Sequence, residues 1–192
     1  GFPMAGFLAQ AGHEVTVYNR TESKAKKWCS MYQGVFASTP NEASLNAEII
    51  FCCVGNDDDV REVILAENGI LQGTSKGTTI VDHTTASATV ACEVYSAAEE
   101  NGANFLDAPL SGGQAGAESG QLTIMVGGDI EVYEFVLPVM NCYAKACTLI
   151  GKVGSGQRAK MVNQICIAGV LQGLSEGLHF AKRANLDIAA VI

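Results

Sequence analysis

Histidine is scarce in this chain, with three in 192 residues, and none has a neighbour at metal-ligand spacing. The seven cysteines lack such spacing too, so the sequence offers no zinc or iron–sulfur framework. Positive charge is short: twelve Lys and Arg stand against twenty Asp and Glu, a net charge of −8. The one basic group, Lys24 to Lys27, lies on a helix pattern as a solvated face, which argues against nucleic acid as a partner. The single Trp28 and the five scattered tyrosines form no stacking platform for bases. Apolar runs stop at about seven residues, as in Ile49 to Val54 and Ile165 to Leu171, against the roughly 18 needed to cross a bilayer. No membrane segment or secretory signal is visible. The odd cysteine count, with Cys52 and Cys53 directed to opposite faces of a strand, fits reduced thiols in a cytoplasmic protein.

With 48% hydrophobic and 17% charged residues the composition is that of a globular chain, long enough for one domain and part of a second. Strand patterns fall at Glu14 to Tyr18, Val35 to Phe36, Glu48 to Val54, Thr78 to Val81, Ala103 to Leu106, Leu122 to Val126 and Ala146 to Ile150. Helix patterns alternate with them. That order predicts an α/β fold, a Rossmann-like and mostly parallel sheet with flanking helices, over residues 1–152. The continuous apolar run ending at Val54 reads as a strand buried on both faces. From residue 153 the pattern is purely helical to about Ala184, the beginning of an all-helical domain over 153–192. The chain opens on what reads as the first turns of a helix, and a first strand is expected upstream of Gly1.

The densest chemical signal is Gly154-Ser-Gly-Gln-Arg-Ala-Lys160-Met-Val-Asn163-Gln164. At about 100° per residue, Asn163 and Gln164 fall roughly −60° and +40° from Lys160, on one helix face. A cationic acid/base thus sits beside two amides; a surface lysine near a helix start is the plainer reading. A second run, Asp107-Ala-Pro-Leu-Ser111-Gly112-Gly113, supplies a hydroxyl and two backbone amides free of side chains, suited to holding a carboxylate. Asp107 itself reads as a turn-forming residue. Glu176 lies about 160° around the helix from Lys160 and faces elsewhere. Asp57 to Asp59 read as helix-start carboxylates.

A helix beginning at Gly1 in an α/β sheet suits a dinucleotide pyrophosphate, although one Gly-x-Pro carries little weight alone. The segment after Glu14 to Tyr18 is more telling. An NAD-binding strand usually ends there in an acid that receives the adenosine ribose hydroxyls; here Asn19-Arg20-Thr21 follows. A neutral amide with Arg and Thr favours a 2′-phosphate, hence NADP(H) over NAD(H). Arg20 as a solvated turn residue and Thr21 as a helix cap are the alternative.

Gly1-Phe-Pro-Met-Ala, Ala11-Gly-His-Glu-Val-Thr-Val-Tyr-Asn-Arg-Thr21, Asp82-His-Thr-Thr85, Asp107 to Gly113 and Gly154-x-Gly-x3-Lys160-x2-Asn163 occur in the order of the β-hydroxyacid dehydrogenase family, which the whole chain resembles. The resemblance implies an oxidoreductase passing hydride between a nicotinamide cofactor and a small β-hydroxyacid or aldehyde-acid. It implies that Gly1 closes the cofactor loop beside Pro3 and Met4, and that Val54, Asn56 and Thr85 flank the nicotinamide. Ser111, Gly112 and Gly113 would bind the substrate carboxylate, Asn163 and Gln164 would orient substrate, and Lys160 would be catalytic. Gly55 stands where many relatives have proline and His83 where many have methionine. Candidate substrates are 3-hydroxyisobutyrate, tartronate semialdehyde, glyoxylate and succinic semialdehyde, and the chain would be truncated at both ends.

In that scheme the Lys160 ammonium gives its proton to a developing alkoxide, or the neutral amine takes it in reverse, with burial lowering its pKa. Apolar residues along the long helix, Ile165, Ile167, Val170, Leu171, Leu174 and Leu178, predict a homodimer or higher oligomer. A non-catalytic nucleotide-binding or assembly module, or an inactive piece of the enzyme, is the competing reading.

Overall fold

A computed structural model describes all residues from 1 to 192. Its elements run α1 (Phe2–Gln10), β1 (Thr16–Val17), α2 (Glu22–Cys29), β2 (Val35–Phe36), α3 (Pro40–Ser44), β3 (Ile49–Cys52), α4 (Asp57–Leu65) and α5 (Ile70–Gly73). There follow β4 (Thr79–Asp82), α6 (Ala88–Glu100), β5 (Asn104–Asp107), β6 (Leu110–Ser111), α7 (Gly113–Glu118), β7 (Leu122–Gly127), α8 (Ile130–Met140), β8 (Ala144–Gly151), α9 (Ser155–Arg183) and α10 (Ile188–Val191).

Six strands form one sheet in the order β3-β4-β5-β7-β6, with β8 added beside β7; β1 and β2 form a separate parallel pair. β3, β4 and β5 run parallel, as does β8 with β7. β7 is antiparallel to both β5 and β6, so the parallel expectation holds for most of the sheet but not at this turn. The short strand β6 and the helices α5 and α7 escaped the sequence reading, because two to six residues are too few to show a period.

Alternation along the strands divides the core between the two faces of the sheet. Ile80 and Phe105 face one side, against Val60 and Ile64 of α4 and Val90 and Val94 of α6. Val81 and Leu106 face the other with Ile124 and Val126, against Val136 and Met140 of α8 and Met4 and Leu8 of α1. Each such fully buried aliphatic contributes about 1.5–3 kcal/mol, so the sheet rather than the loops fixes the strand ends from which the site is built. β4 is buried throughout, but β3 is only half-buried apart from Cys52. Its outer edge faces a cleft of about 1530 Å³ that separates it from β1.

α9 behaves differently along its length. Gly156, Gln157 and Lys160 are buried in its first turns, whereas Ile165, Val170 and Phe180 are 69–72% exposed. No helix is long and apolar enough to cross a membrane.

Candidate active site at the start of the long helix

Three chain segments converge where β4, β5 and α9 meet. β4 ends at Asp82, and the side chain of that residue turns the backbone by accepting the Thr84 N–H at 2.9 Å. The Thr84 hydroxyl in turn accepts the Val54 N–H at 3.0 Å, tying the end of β3 to the loop that carries Thr85. β5 ends at Asp107, whose two carboxylate oxygens accept the Gly154 N–H at 2.6 Å and the Gln157 N–H at 2.8 Å. Asp107 therefore does more than shape a turn: it caps the first turn of α9 from inside the sheet. Burial nonetheless pushes its carboxyl up to about 6, against those donors.

The close approach of α9 depends on Gly156. A Cβ there would lie 2.5 Å from the Met125 carbonyl oxygen and 2.6 Å from that of Asp107, so only glycine fits without moving the helix or the sheet. At the other wall, Gly112 sits at φ 131°, which side chains rarely adopt, between β6 and α7.

Between these segments lies a cavity of about 540 Å³. Lys160 and Gln164 line it from α9, Ser111, Gly112 and Gly113 from the β6–α7 turn, and Thr85 and Val54 from the strand ends. Gly1 and Met4 line the same space. The site thus assembles one lysine, the hydroxyl side chains of Ser111, Thr84 and Thr85, and one side-chain amide around a pair of glycines. Lys160 is 9% exposed and has no carboxylate partner among the ion pairs, so burial pulls its ammonium below the ordinary lysine pKa.

The remaining residues singled out from the sequence lie apart from this cavity. Asn163 donates its amide to Gln164 Oε1 at 3.1 Å and is not among the lining residues. The Asn56 side chain accepts the Asp59 N–H at 2.9 Å, which makes it the N-cap of α4; Asp57 to Asp59 occupy the first turn. Pro3 stands in the first turn of α1, where its missing N–H costs nothing.

Asn19, Arg20 and Thr21 line the larger cleft, at the end of β1. Asn19 Oδ1 accepts the Thr21 N–H at 2.9 Å, closing a local turn, and Thr21 is the N-cap of α2 without a side-chain cap bond. Arg20 is paired across the cleft with Asp59 at 3.3 Å. The other oxygen of Asp59 accepts the Gly55 N–H at 3.2 Å, a bond that proline at that position could not make. A guanidinium in a cleft that continues past Val54, Gly55 and Gly1 toward the lysine cavity suits an elongated, phosphate-bearing group.

Two features carry weight that sequence reading did not assign. His83, 2% exposed, has Nδ1 2.6 Å from the Ala108 carbonyl oxygen and Nε2 2.8 Å from the Tyr143 hydroxyl, and stacks on Phe51 at 5.5 Å. Burial lowers its pKa to about 4, so it is a neutral spacer between strands. Gln157, 1% exposed, binds the Thr84–Ala86 loop through both ends of its amide. Nothing in the spacing distinguished it from Gln164. All seven cysteines are free, and no group of three or more His, Cys, Asp or Glu could hold a metal ion.

Residues 1–151 match the NAD binding domain of 6-phosphogluconate dehydrogenase, and residues 154–192 match a domain described as the NAD-binding part of NADP-dependent 3-hydroxyisobutyrate dehydrogenase. The chain belongs to the β-hydroxyacid dehydrogenase family. An uncharacterized oxidoreductase of Shewanella frigidimarina (strain NCIMB 400) is 57% identical over 192 residues, covering 100% of this chain and 66% of its own. The 2-hydroxy-3-oxopropionate reductase of Escherichia coli (strain K12) is 38% identical over 187 residues, 97% of this chain and 63% of its own. The solved 3-hydroxyisobutyrate dehydrogenase of Mycobacterium tuberculosis with L-serine superposes with a TM-score of 0.90 at 31% identity, over 97% of this chain and 62% of that one. The chain thus spans slightly under two thirds of the length of these relatives.

Proposed function

We propose that this chain is the cofactor-binding part and the first catalytic helix of an NADP(H)-dependent reductase of small aldehyde-acids, or dehydrogenase of the corresponding β-hydroxyacids, with Lys160 as general acid/base. The observation that carries the reading is the buried, unpaired Lys160 sharing one cavity with Ser111, Gly112 and Gly113. The relatives' names support the substrate class, one being a 2-hydroxy-3-oxopropionate reductase and another a 3-hydroxyisobutyrate dehydrogenase. Arg20 in the cleft, and the NADP-dependent description of the domain matching residues 154–192, support the 2′-phosphorylated cofactor.

In this reading the chain's own residues bind, orient and move a proton. Ser111 Oγ and the backbone at Gly112 and Gly113 receive the substrate carboxylate, which fixes the carbonyl carbon by its distance from the acid group. Gln164 orients the carbonyl, and Asn163, whose amide donates to Gln164 Oε1 at 3.1 Å, acts on substrate through it. Lys160 Nζ donates its proton to the carbonyl oxygen as negative charge develops there, and stabilises that charge before transfer. Oxidation uses the neutral amine to take the hydroxyl proton back. A nicotinamide cofactor, when bound, supplies or accepts the hydride. Gly1, Pro3, Met4, Val54, Asn56 and Thr85 would hold its nicotinamide and pyrophosphate, and Asn19, Arg20 and Thr21 its adenosine end.

Residues of both β1 and β3 line the cleft, and each strand ends its own sheet there, β1 pairing only with β2 and β3 only with β4. We assign it to a parallel strand preceding Gly1, within a cofactor domain of residues 1–152, with 153–192 opening a helical domain. The apolar stretch exposed on α9 supports burial by more of that domain and by a second subunit. The seven free cysteines support the reading of a cytoplasmic protein.

The deciding experiment is performed on the intact protein. NADPH and NADH are titrated, and the reduction of glyoxylate, succinic semialdehyde and tartronate semialdehyde and the oxidation of 3-hydroxyisobutyrate are assayed. Turnover of at least one acid, abolished by Lys160→Ala with cofactor binding retained, is expected. Turnover that survives Lys160→Ala would sink the proposal.

A further inference from the structure

Gln157 is among the largest polar side chains completely enclosed by the fold. Its Oε1 accepts the Ala86 N–H at 3.0 Å, and its Nε2 donates to the Thr84 carbonyl oxygen at 2.7 Å. The two partners bracket Thr85, which lines the same cavity as Lys160. The Gln157 backbone N–H is held by Asp107, and Lys160 follows one helical turn later on α9. A displacement of this turn therefore moves Nζ of the lysine, and the amide sets where the turn stands relative to the Thr84–Ala86 loop.

We infer that Gln157 is a positioning residue of the reaction, whose amide fixes the separation between Lys160 and the Thr85 wall of the cavity. The inference rests on the function proposed for Lys160. The chemistry explains the residue type. One planar group must accept from residue 86 and donate to residue 84 at once, and an amide does both without charge. An ionised carboxylate of the same shape offers two acceptors and no donor, so it would oppose the Thr84 carbonyl. A protonated carboxyl regains the donor.

That distinction gives a test that a purely structural role would not pass. The charged and titratable groups around the loop are Asp82 and His83 at the end of β4, Asp57 of α4 bound to Ser87 at 2.5 Å, Asp107 of β5, and Arg158 and Lys160 of α9. The three carboxylates make ionisation of a carboxyl at position 157 harder, so protonation should persist into the mildly acidic range. In the intact protein, kcat and KM are measured from pH 5.5 to 8.5 with whichever of the four acids named above is turned over fastest and its cofactor, for wild type, Gln157→Glu, Gln157→Ala and Lys160→Ala. NADPH affinity and the amide exchange of Ala86 are followed in parallel.

For Gln157→Glu we expect kcat reduced about tenfold or more at pH 8 and recovering, relative to wild type, toward pH 6; KM and NADPH affinity stay within about threefold. Gln157→Ala should lose kcat at every pH and expose the Ala86 amide to faster exchange. A Gln157→Glu profile parallel to wild type, or a loss confined to KM or to NADPH binding, overturns the inference while a dead Lys160→Ala leaves the functional reading standing. Turnover of none of the four acids named for the functional reading, or turnover surviving Lys160→Ala, overturns that reading and the inference with it.

Discussion

Arg20 and Asp59 face each other across the larger cleft, 3.3 Å apart, one from the end of β1 and the other from the first turn of α4. Arg20 is 77% exposed at its side chain, so the pair contributes at most about 1 kcal/mol to folding. Its consequence lies in binding. In the proposed NADP(H) reading, a 2′-phosphate at Arg20 would compete with Asp59 for the guanidinium and meet the carboxylate's charge. Arg20→Ala should weaken NADPH about tenfold and leave NADH nearly unchanged, since a charge-assisted hydrogen bond is worth about 1.5–3 kcal/mol. Asp59→Asn should act in the opposite direction, tightening NADPH a few-fold at low salt. Fluorescence titration of both nucleotides at two ionic strengths checks this; equal losses for NADPH and NADH in Arg20→Ala would refute the phosphate role.

Lys160 titrates below the ordinary lysine value because burial disfavours its ammonium. In the proposed mechanism reduction uses that ammonium, so its rate should fall as pH rises through the lowered pKa, while oxidation should rise over the same interval. Lys160→Met removes the proton donor and should cost about 100-fold or more in kcat, with the carboxylate site intact. The folded state also prefers the neutral amine, so the contribution of Lys160 to stability grows as pH climbs through its folded pKa toward 10.5. A pH–rate profile whose alkaline limb is identical in wild type and Lys160→Met would exclude the lysine as its source.

The two glycine-bearing runs and Lys160 were legible because their chemistry is local: a hydroxyl followed by two glycines, and a lysine with amides at helical spacing. The strands were legible for a similar reason, since alternation and β-branched runs are short-range patterns. Their limits were less so, and Glu14 to Tyr18 contracts to Thr16–Val17 where the pair β1–β2 stands free of the main sheet. What sequence could not show is pairing over distance. Gln157 meets residues 84 and 86 across about seventy residues, and Asp107 meets α9 across about fifty. Such contacts exist only once the sheet has brought β4 and β5 beneath the helix. The antiparallel entry of β7 had no local signature either, because the elements between it and β5, the two-residue β6 and the six-residue α7, are too short to show a period.

At Gly156, α9 lies directly against the backbone of β5 and β7. Gly156→Ala would place a methyl against the Met125 and Asp107 carbonyl oxygens, both backbone atoms that cannot swing away. The helix start must lift, loosening the Asp107 bonds to Gly154 and Gln157, and a loss of about 1–3 kcal/mol is expected by thermal or urea unfolding. Gly169→Ala, in the exposed part of the same helix with open space at its Cβ, should be neutral or stabilising by a few tenths to about 1 kcal/mol. The pair separates backbone contact from helix propensity; similar effects at both positions would mean that α9 does not rest on the sheet as described.

Three buried groups give stability a pH dependence of mixed sign. Burial pushes Asp82 and Asp107 up to about 6, so the folded state holds protons that the unfolded chain releases near pH 4. Their contribution is fully present below the unfolded pKa and is lost as pH rises through about 6. His83 works the other way: burial lowers it to about 4, and its contribution, present above about pH 6.5, is lost as pH falls toward 4. Two such carboxylates outweigh the one histidine between pH 4 and 6, and Asp107→Asn removes one of the two carboxylate slopes, so unfolding free energy should fall less steeply with rising pH there than in wild type. The same change leaves one of the Gly154 and Gln157 N–H groups without a good acceptor, because the amide nitrogen cannot accept, and should cost about 1–3 kcal/mol at pH 7. Urea unfolding of wild type, Asp107→Asn and His83→Met at pH 4.5, 5.5 and 7 resolves the terms. A slope unaffected by Asp107→Asn would show that its carboxyl titrates in the fold as it does in the unfolded chain, and that the donors from α9 fully offset its burial.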